Sequence, residues 1–78
     1  MSDVSSAYLQ GHRDGRTAAT QTKIDREAAE LIVLALVDQD PSVTVELPAP
    51  RVDDADYTKG YVKGWRTRII SRSRELIE

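Results

Sequence analysis

The sequence predicts a mainly α fold: two helices joined by a proline-containing extended segment, packing as a helical homodimer. Three observations carry this prediction. From Ala7 to Asp38 there is no proline, and "DREAAELIVLAL" is dense in strong helix formers. Pro41, Pro48 and Pro50 are confined to one stretch, where each stops a helix and biases the residue before it toward extended geometry. Asp53 then marks a second helix start, with Asp54 and Asp56 favourable beside the positive end of the helix dipole.

The first helix is expected over about 6–38, with Ser5 or Ser6 as N-cap. At about 100° per residue, Ile24, Ala28, Leu31 and Ala35 share one side. Gly11, Gly15, Ala18, Thr22 and Ala29, continued by Ile32 and Leu36, share another. "LIVLALV" is apolar nearly all round, so that end is expected to be buried on most faces. The connector spans about 39–53, and "SVTVEL" alternates Val43, Val45 and Leu47 with Ser42, Thr44 and Glu46 as a short half-buried strand would. The second helix is expected over about 54–77, its main apolar face formed by Tyr61, Val62, Trp65, Ile69 and Leu76. All 78 residues read as one small domain.

"AYLQGHRDGRTAATQT" and "DYTKGYVKGWRTRIIS" lie 49 residues apart and align on their tyrosines. Tyr8, Gly11, Gly15, Ala18 and Thr22 fall on Tyr57, Gly60, Gly64, Thr67 and Ser71, and every position after the tyrosine is small. Each glycine costs a helix about 1 kcal/mol relative to alanine, so four of them need an offset. Close approach of two helix backbones along a small-residue seam supplies one. A turn at "GHRDG" is the competing reading of the first glycine pair. The stretch from Tyr8 to Ala19 resembles the glycine repeats of flagellar export regulators, which implies a helix-packing mode rather than an activity. The seam positions, being near the N-terminus of both helices, are expected to pair in parallel, either within one chain or between two. A fully taut connector of about 15 residues favours two chains, as does the small size of the domain.

The composition excludes much. There is no cysteine and one histidine, so disulfides, thiolate metal sites and a zinc site are not expected. His12 reads as a solvated surface side chain. The cluster Asp53, Asp54 and Asp56 lacks the glycine and distal glutamate of a calcium loop and is accounted for by helix capping. No Gly-rich phosphate loop follows a strand, and no nucleophile or acid–base pair stands out, so no enzyme, catalytic residue, cofactor or metal is expected. "MSDVSS" has neither a basic n-region nor an apolar core, and "LIVLALV" is far short of the ~20 residues that cross a bilayer, so a cytoplasmic location away from membranes is the expectation.

Charge gives the candidate binding surface. Lys59, Lys63, Arg66, Arg68, Arg72 and Arg74 follow one another in the second helix with no acid from Tyr57 to Arg74. Lys59, Lys63, Arg66 and Arg74 share one face, able to meet an acidic partner or phosphates. Mutual neutralisation with the acidic half of the first helix (Asp25, Glu27, Glu30, Asp38 and Asp40) is the plainer reading. "SVTVELP" and "SRSRELIE" resemble the strand and second-helix start of ribbon–helix–helix repressors, which would imply strand pairing across a dimer on DNA. The intervening helix is too long and too basic for that pattern, and Glu46 would face the phosphates. The Ala/Arg/Asp-rich composition is similar to that of small actinobacterial and phage proteins. The expected function is therefore protein–protein interaction by a small accessory or regulatory protein that binds a larger partner. A nucleic-acid-binding regulator using the basic second helix is the alternative.

Overall fold

The computed structural model describes residues 5–78; the opening stretch read above for leader features lies partly outside them. The chain is mainly helical: α1 spans Ser6–Gln21, α2 spans Arg26–Ile32 and runs on into a π-helical segment over Val33–Val37, and α3 spans Ala55–Ile77. No strand occurs among the described residues.

Ser5 caps α1, its hydroxyl accepting from the Tyr8 amide, and both glycines of "GHRDG" lie inside the helix. The expected single helix over 6–38 is corrected here: it breaks at Thr22–Asp25. Neither proline nor glycine makes the break. Thr20, Thr22 and Ile24 are β-branched and weaken the helix locally. Asp25 then starts α2 as its N-cap, accepting from the Ala28 amide at 2.8 Å. The α1 end is closed from outside. Arg72 Nη1 donates to the carbonyls of Ala19 and Thr22 at 2.6 and 2.5 Å, placing a cation on the negative end of the helix.

α1 and α3 run parallel, since Gly11 lies against Tyr57 and Gly15 against Tyr61. α2 runs against both. Its start follows Thr22, held by Arg72, while the Leu36 carbonyl near its end accepts from Arg66 at 2.9 Å. This reversal settles the connector problem. The molecule measures 36 × 27 × 23 Å, and α2 already carries the chain back toward the start of α3. The two seams thus meet within one chain, without the taut 15-residue span that made a pairing between two chains the expectation.

The core is small: Ala19, Ile32, Trp65 and Ile69, flanked by Ala18, Ile24, Leu36, Val45 and Ile70. Ala29 and Ile32 of α2 and Leu36 of the π segment, the stripe that continues the glycines in the sequence, face inward. "LIVLALV" is not buried on most faces, because only α3 covers it and Leu31 and Leu34 stay 46% and 37% exposed. Leu76, expected on the apolar face of α3, is exposed as well. The π segment ends with the Asp38 amide on Val33, the Asp40 amide on Leu34, and Gln39 in the left-handed region at φ 53.

"SVTVEL" forms no strand: Ser42 lies in a turn, the Val43 amide donates to the Asp40 carbonyl, and residues 44–47 carry no regular secondary structure. Val45 packs on the core, whereas Leu47 stays largely exposed. Asp40 anchors the segment: the hydroxyl and amide of Ser42 both donate to its carboxylate, which holds Asp40 below the usual carboxylate range. The cap of α3 is Asp54 rather than Asp53, accepting from the amides of Asp56 and Tyr57.

Candidate functional site

Four glycines bring the backbones of α1 and α3 into contact. A Cβ at Gly11 would overlap the Tyr57 carbonyl, one at Gly15 the Tyr61 carbonyl, one at Gly60 the Tyr8 carbonyl, and one at Gly64 the His12 carbonyl. All four glycines are buried. The glycine Cα–H groups face these carbonyls, a geometry in which weak Cα–H···O bonds recur. Adding 49 to the α1 residue of a contact and subtracting 49 from the α3 residue gives another contact: Gly11 on Tyr57 becomes Gly60 on Tyr8, and Gly15 on Tyr61 becomes Gly64 on His12. The repeat therefore packs as a local two-fold, the arrangement of an isologous dimer contact inside a single chain.

Beyond the glycines the expected seam positions part company. Ala19, not Ala18, is the buried residue after Gly15, while Ala18 is half-buried. Thr22 is the C-cap of α1 and hydrogen-bonds the Ala18 carbonyl. Thr67 and Ser71 are exposed. Steps of four (Gly11, Gly15, Ala19) mean that the helices cross, rather than following each other along a three–four coiled-coil seam. Tyr8 and Tyr57 flank the contact, each stacked loosely on the aromatic ring four residues on, His12 and Tyr61, with centroids 6.3 and 6.1 Å apart. The Tyr57 hydroxyl donates to the Asp14 carboxylate. That bond first, then desolvation and the negative charge of Asp14, pushes Tyr57 up to about 12.

The predicted partner-binding residues lie on the outer surface of α3. Lys59, Lys63, Arg66 and Arg74 are all exposed. Arg66 donates to the Leu36 carbonyl. The neutralisation expected from the acidic residues of the first half does not form. Among the described residues the only ion pair is Arg26–Glu30, 3.8 Å apart on α2 itself. Asp25, which aligns in register with Arg74, is occupied in capping α2.

The sequence reading missed a second cationic surface. His12, Arg13 and Arg16 of α1 and Arg68 of α3 line one groove with Leu9, Thr17, Thr20 and Gln21. Arg68 is fixed there, its Nε donating to Thr20 Oγ1 at 3.1 Å. The signal that finds it is the same 49-residue offset. Arg16 and Thr20 hold the places of Trp65 and Ile69, and Arg68 the place of Ala19, so the groove is the counterpart of the hydrophobic core across the two-fold. On one side those positions are apolar and α2 covers them; on the other they are cationic and polar, and open.

No three His, Asp or Glu side chains among the described residues gather closely enough to hold a metal ion. Of the acidic cluster, Asp54 is engaged as the cap of α3. No helix of the described residues is long and apolar enough to cross a membrane. No protein-family model, curated protein or solved structure matches this chain.

Proposed function

We propose that this chain is a small non-enzymatic helical protein, an accessory or regulatory protein of the phage type its composition resembles, that acts by protein–protein interaction in the cytoplasm. It presents the Lys59, Lys63, Arg66 and Arg74 face of α3 to an acidic surface on a larger partner. The observation that supports this reading is the exposure of all four cations with no carboxylate paired to them among the described residues. The glycine seam holds α1 against α3 and so makes α3 a rigid presenting surface. A homodimer belongs to the same reading, and because both seams are already filled within one chain, a second copy has to use another surface.

The test is a triple charge reversal, Lys59→Glu with Lys63→Glu and Arg66→Glu, in affinity capture from cells that make the protein. Partner capture should be lost while the far-ultraviolet circular dichroism is kept. Unchanged capture returns this face to solvent. One observation favours nucleic acid as a second reading. α1 and α3 together carry eight basic side chains against three acidic, whereas residues 22–54 carry three against eight. Binding to a DNA duplex that falls with salt by about 0.9 log units per log unit for each phosphate contacted would select that reading.

A further inference from the structure

We infer that the cationic groove between α1 and α3 is a seat for α2 of a second copy of this chain, so that copies add head to tail. The inference keeps the self-association of the proposed function but replaces its closed homodimer with open-ended assembly, and names the surface for it.

Besides the basic face of α3, two surfaces are left without a partner in the single chain. One is the groove, where Leu9, Arg13, Arg16 and Thr20 line up along α1 with Arg68 beside them. The other is the outward face of α2. Glu27, Glu30 and Leu31 follow the i, i+3, i+4 spacing of one face of α2, and with Leu34 of the π-helical segment that continues it they are all exposed. Glu30 is held only by the loose exposed pair with Arg26.

These surfaces are complementary in charge and in shape. Two carboxylates face outward on α2, and three guanidiniums line the groove. Leu31 and Leu34 extend one stripe, and Leu9, 60% exposed, extends the other. The shape follows from the two-fold. The α1–α3 crossing already seats a helix on one side, where Ile32 of α2 and Leu36 of the π segment pack with Trp65 and Ile69, and Ala29 is buried. The groove is the same crossing seen from the other side, with arginine and threonine in place of the tryptophan and isoleucine. It offers a helix-sized seat whose lining asks for acids. By that symmetry the incoming α2 runs antiparallel to α1, as the chain's own α2 does to α3.

The hand of the contact decides the assembly. Groove and α2 lie on opposite sides of the α1–α3 pair, so donor and acceptor surfaces differ and the contact is heterologous. It does not close at two copies. Each added chain presents a fresh groove and a fresh α2, and assembly should weaken with salt because it joins exposed charges.

Sedimentation equilibrium of the full chain against concentration tests this. The weight-average mass should rise above that of the 8.7 kDa monomer without levelling at two copies, and should fall back when salt is raised. Arg13→Glu with Arg16→Glu should weaken association at least about tenfold, and so should Glu27→Arg with Glu30→Arg, since each sets like charges against one another. Mixing the two double variants should restore association, because each then offers the charge the other lacks. This also guards against a variant that merely misfolds. The Lys59, Lys63, Arg66 triple variant should associate as the natural chain does, so failure of partner capture and failure of the groove contact are read separately. A chain that stays monomeric overturns the inference, as does a mass that levels at two copies, or association that survives both reversals. A monomer whose Arg13 and Arg16 resonances shift on adding inorganic phosphate overturns it in favour of an anionic ligand.

Discussion

Arg16 and Trp65 hold the same place in the two copies of the glycine motif, and so do Thr20 and Ile69, yet Trp65 and Ile69 are buried while Arg16 and Thr20 are exposed. The backbone contact is the same on both sides of the two-fold, because glycine and carbonyl alone make it. What differs is the side chains next to it. If both copies carried apolar residues there, α2 would have two equivalent seats. Arginine and threonine on one side leave a single seat worth taking: burying a Trp and an Ile together is worth several kcal/mol at about 25 cal/mol per Å², whereas burying a guanidinium without a carboxylate is unfavourable. Small residues thus set how the helices meet, and their larger neighbours set which way the chain folds over them.

The first half of this comparison breaks most completely at the glycines. Gly64→Leu or Gly15→Leu has to displace the backbone of the opposite helix, a harder obstacle than the side chains that make ordinary overpacking cost about 1–3 kcal/mol. A loss of about 3 kcal/mol or more is expected, a large part of the total for a chain this short. Gly64→Ala should also destabilise, although helix propensity alone would favour alanine by about 1 kcal/mol. Urea denaturation measures both. A raised midpoint for either substitution at Gly64 would mean that the seam is not closely packed in solution.

The second half is tested by truncating the matched pair. Trp65→Ala removes the largest side chain of the core and should cost about 3–5 kcal/mol. Arg16→Ala, at the equivalent position, should stay within about 0.5 kcal/mol, as is usual for an exposed side chain. Equal losses would show that the groove side is covered in the single chain after all.

Much of this was legible in the residues. The 49-residue offset placed Gly11 and Gly15 with Gly60 and Gly64, the helical stripe that continues the glycines held Ala29, Ile32 and Leu36, and the aspartates before Ala55 marked the start of α3 to within one residue. The break at Thr22–Asp25 was not legible, because what holds it open is distant. Arg72, some 50 residues on, takes the carbonyls that another helical turn would have used. Asp25 read as one of the acidic residues of the first helix, and its role as the α2 cap follows from the break. The alternation in "SVTVEL" was real, but a strand needs a neighbour to pair with and none is in reach. The groove escaped a reading by charge runs because its cations come from two helices. Arg13 and Arg16 sit around Asp14 in sequence, and Arg68 belongs to the α3 run until the fold brings it to Thr20.

The smallest expected effect concerns the one polar bond that crosses the seam beside the glycines. Tyr57 donates to Asp14; at the equivalent places stand Tyr8 and Lys63, where an ammonium replaces the carboxylate. The carboxylate favours the protonated phenol, which lifts Tyr57 from its ordinary 10.0 to about 12. The folded state therefore keeps a proton that the unfolded state gives up first. The stabilisation from this bond is fully present below about pH 10 and is lost as pH rises from there through about 12. Because Tyr57 is solvent-accessible the effect is modest, and the informative quantity is a difference between variants. The melting temperature of Tyr57→Phe should lie slightly below that of the natural chain at neutral pH, and the gap should close as the two are followed through that alkaline range. Tyr8→Phe, its counterpart across the two-fold, should show no such narrowing. Parallel curves for Tyr57→Phe and the natural chain would mean that the bond to Asp14 contributes nothing to the fold, and would leave the glycine contacts alone holding this end of the seam.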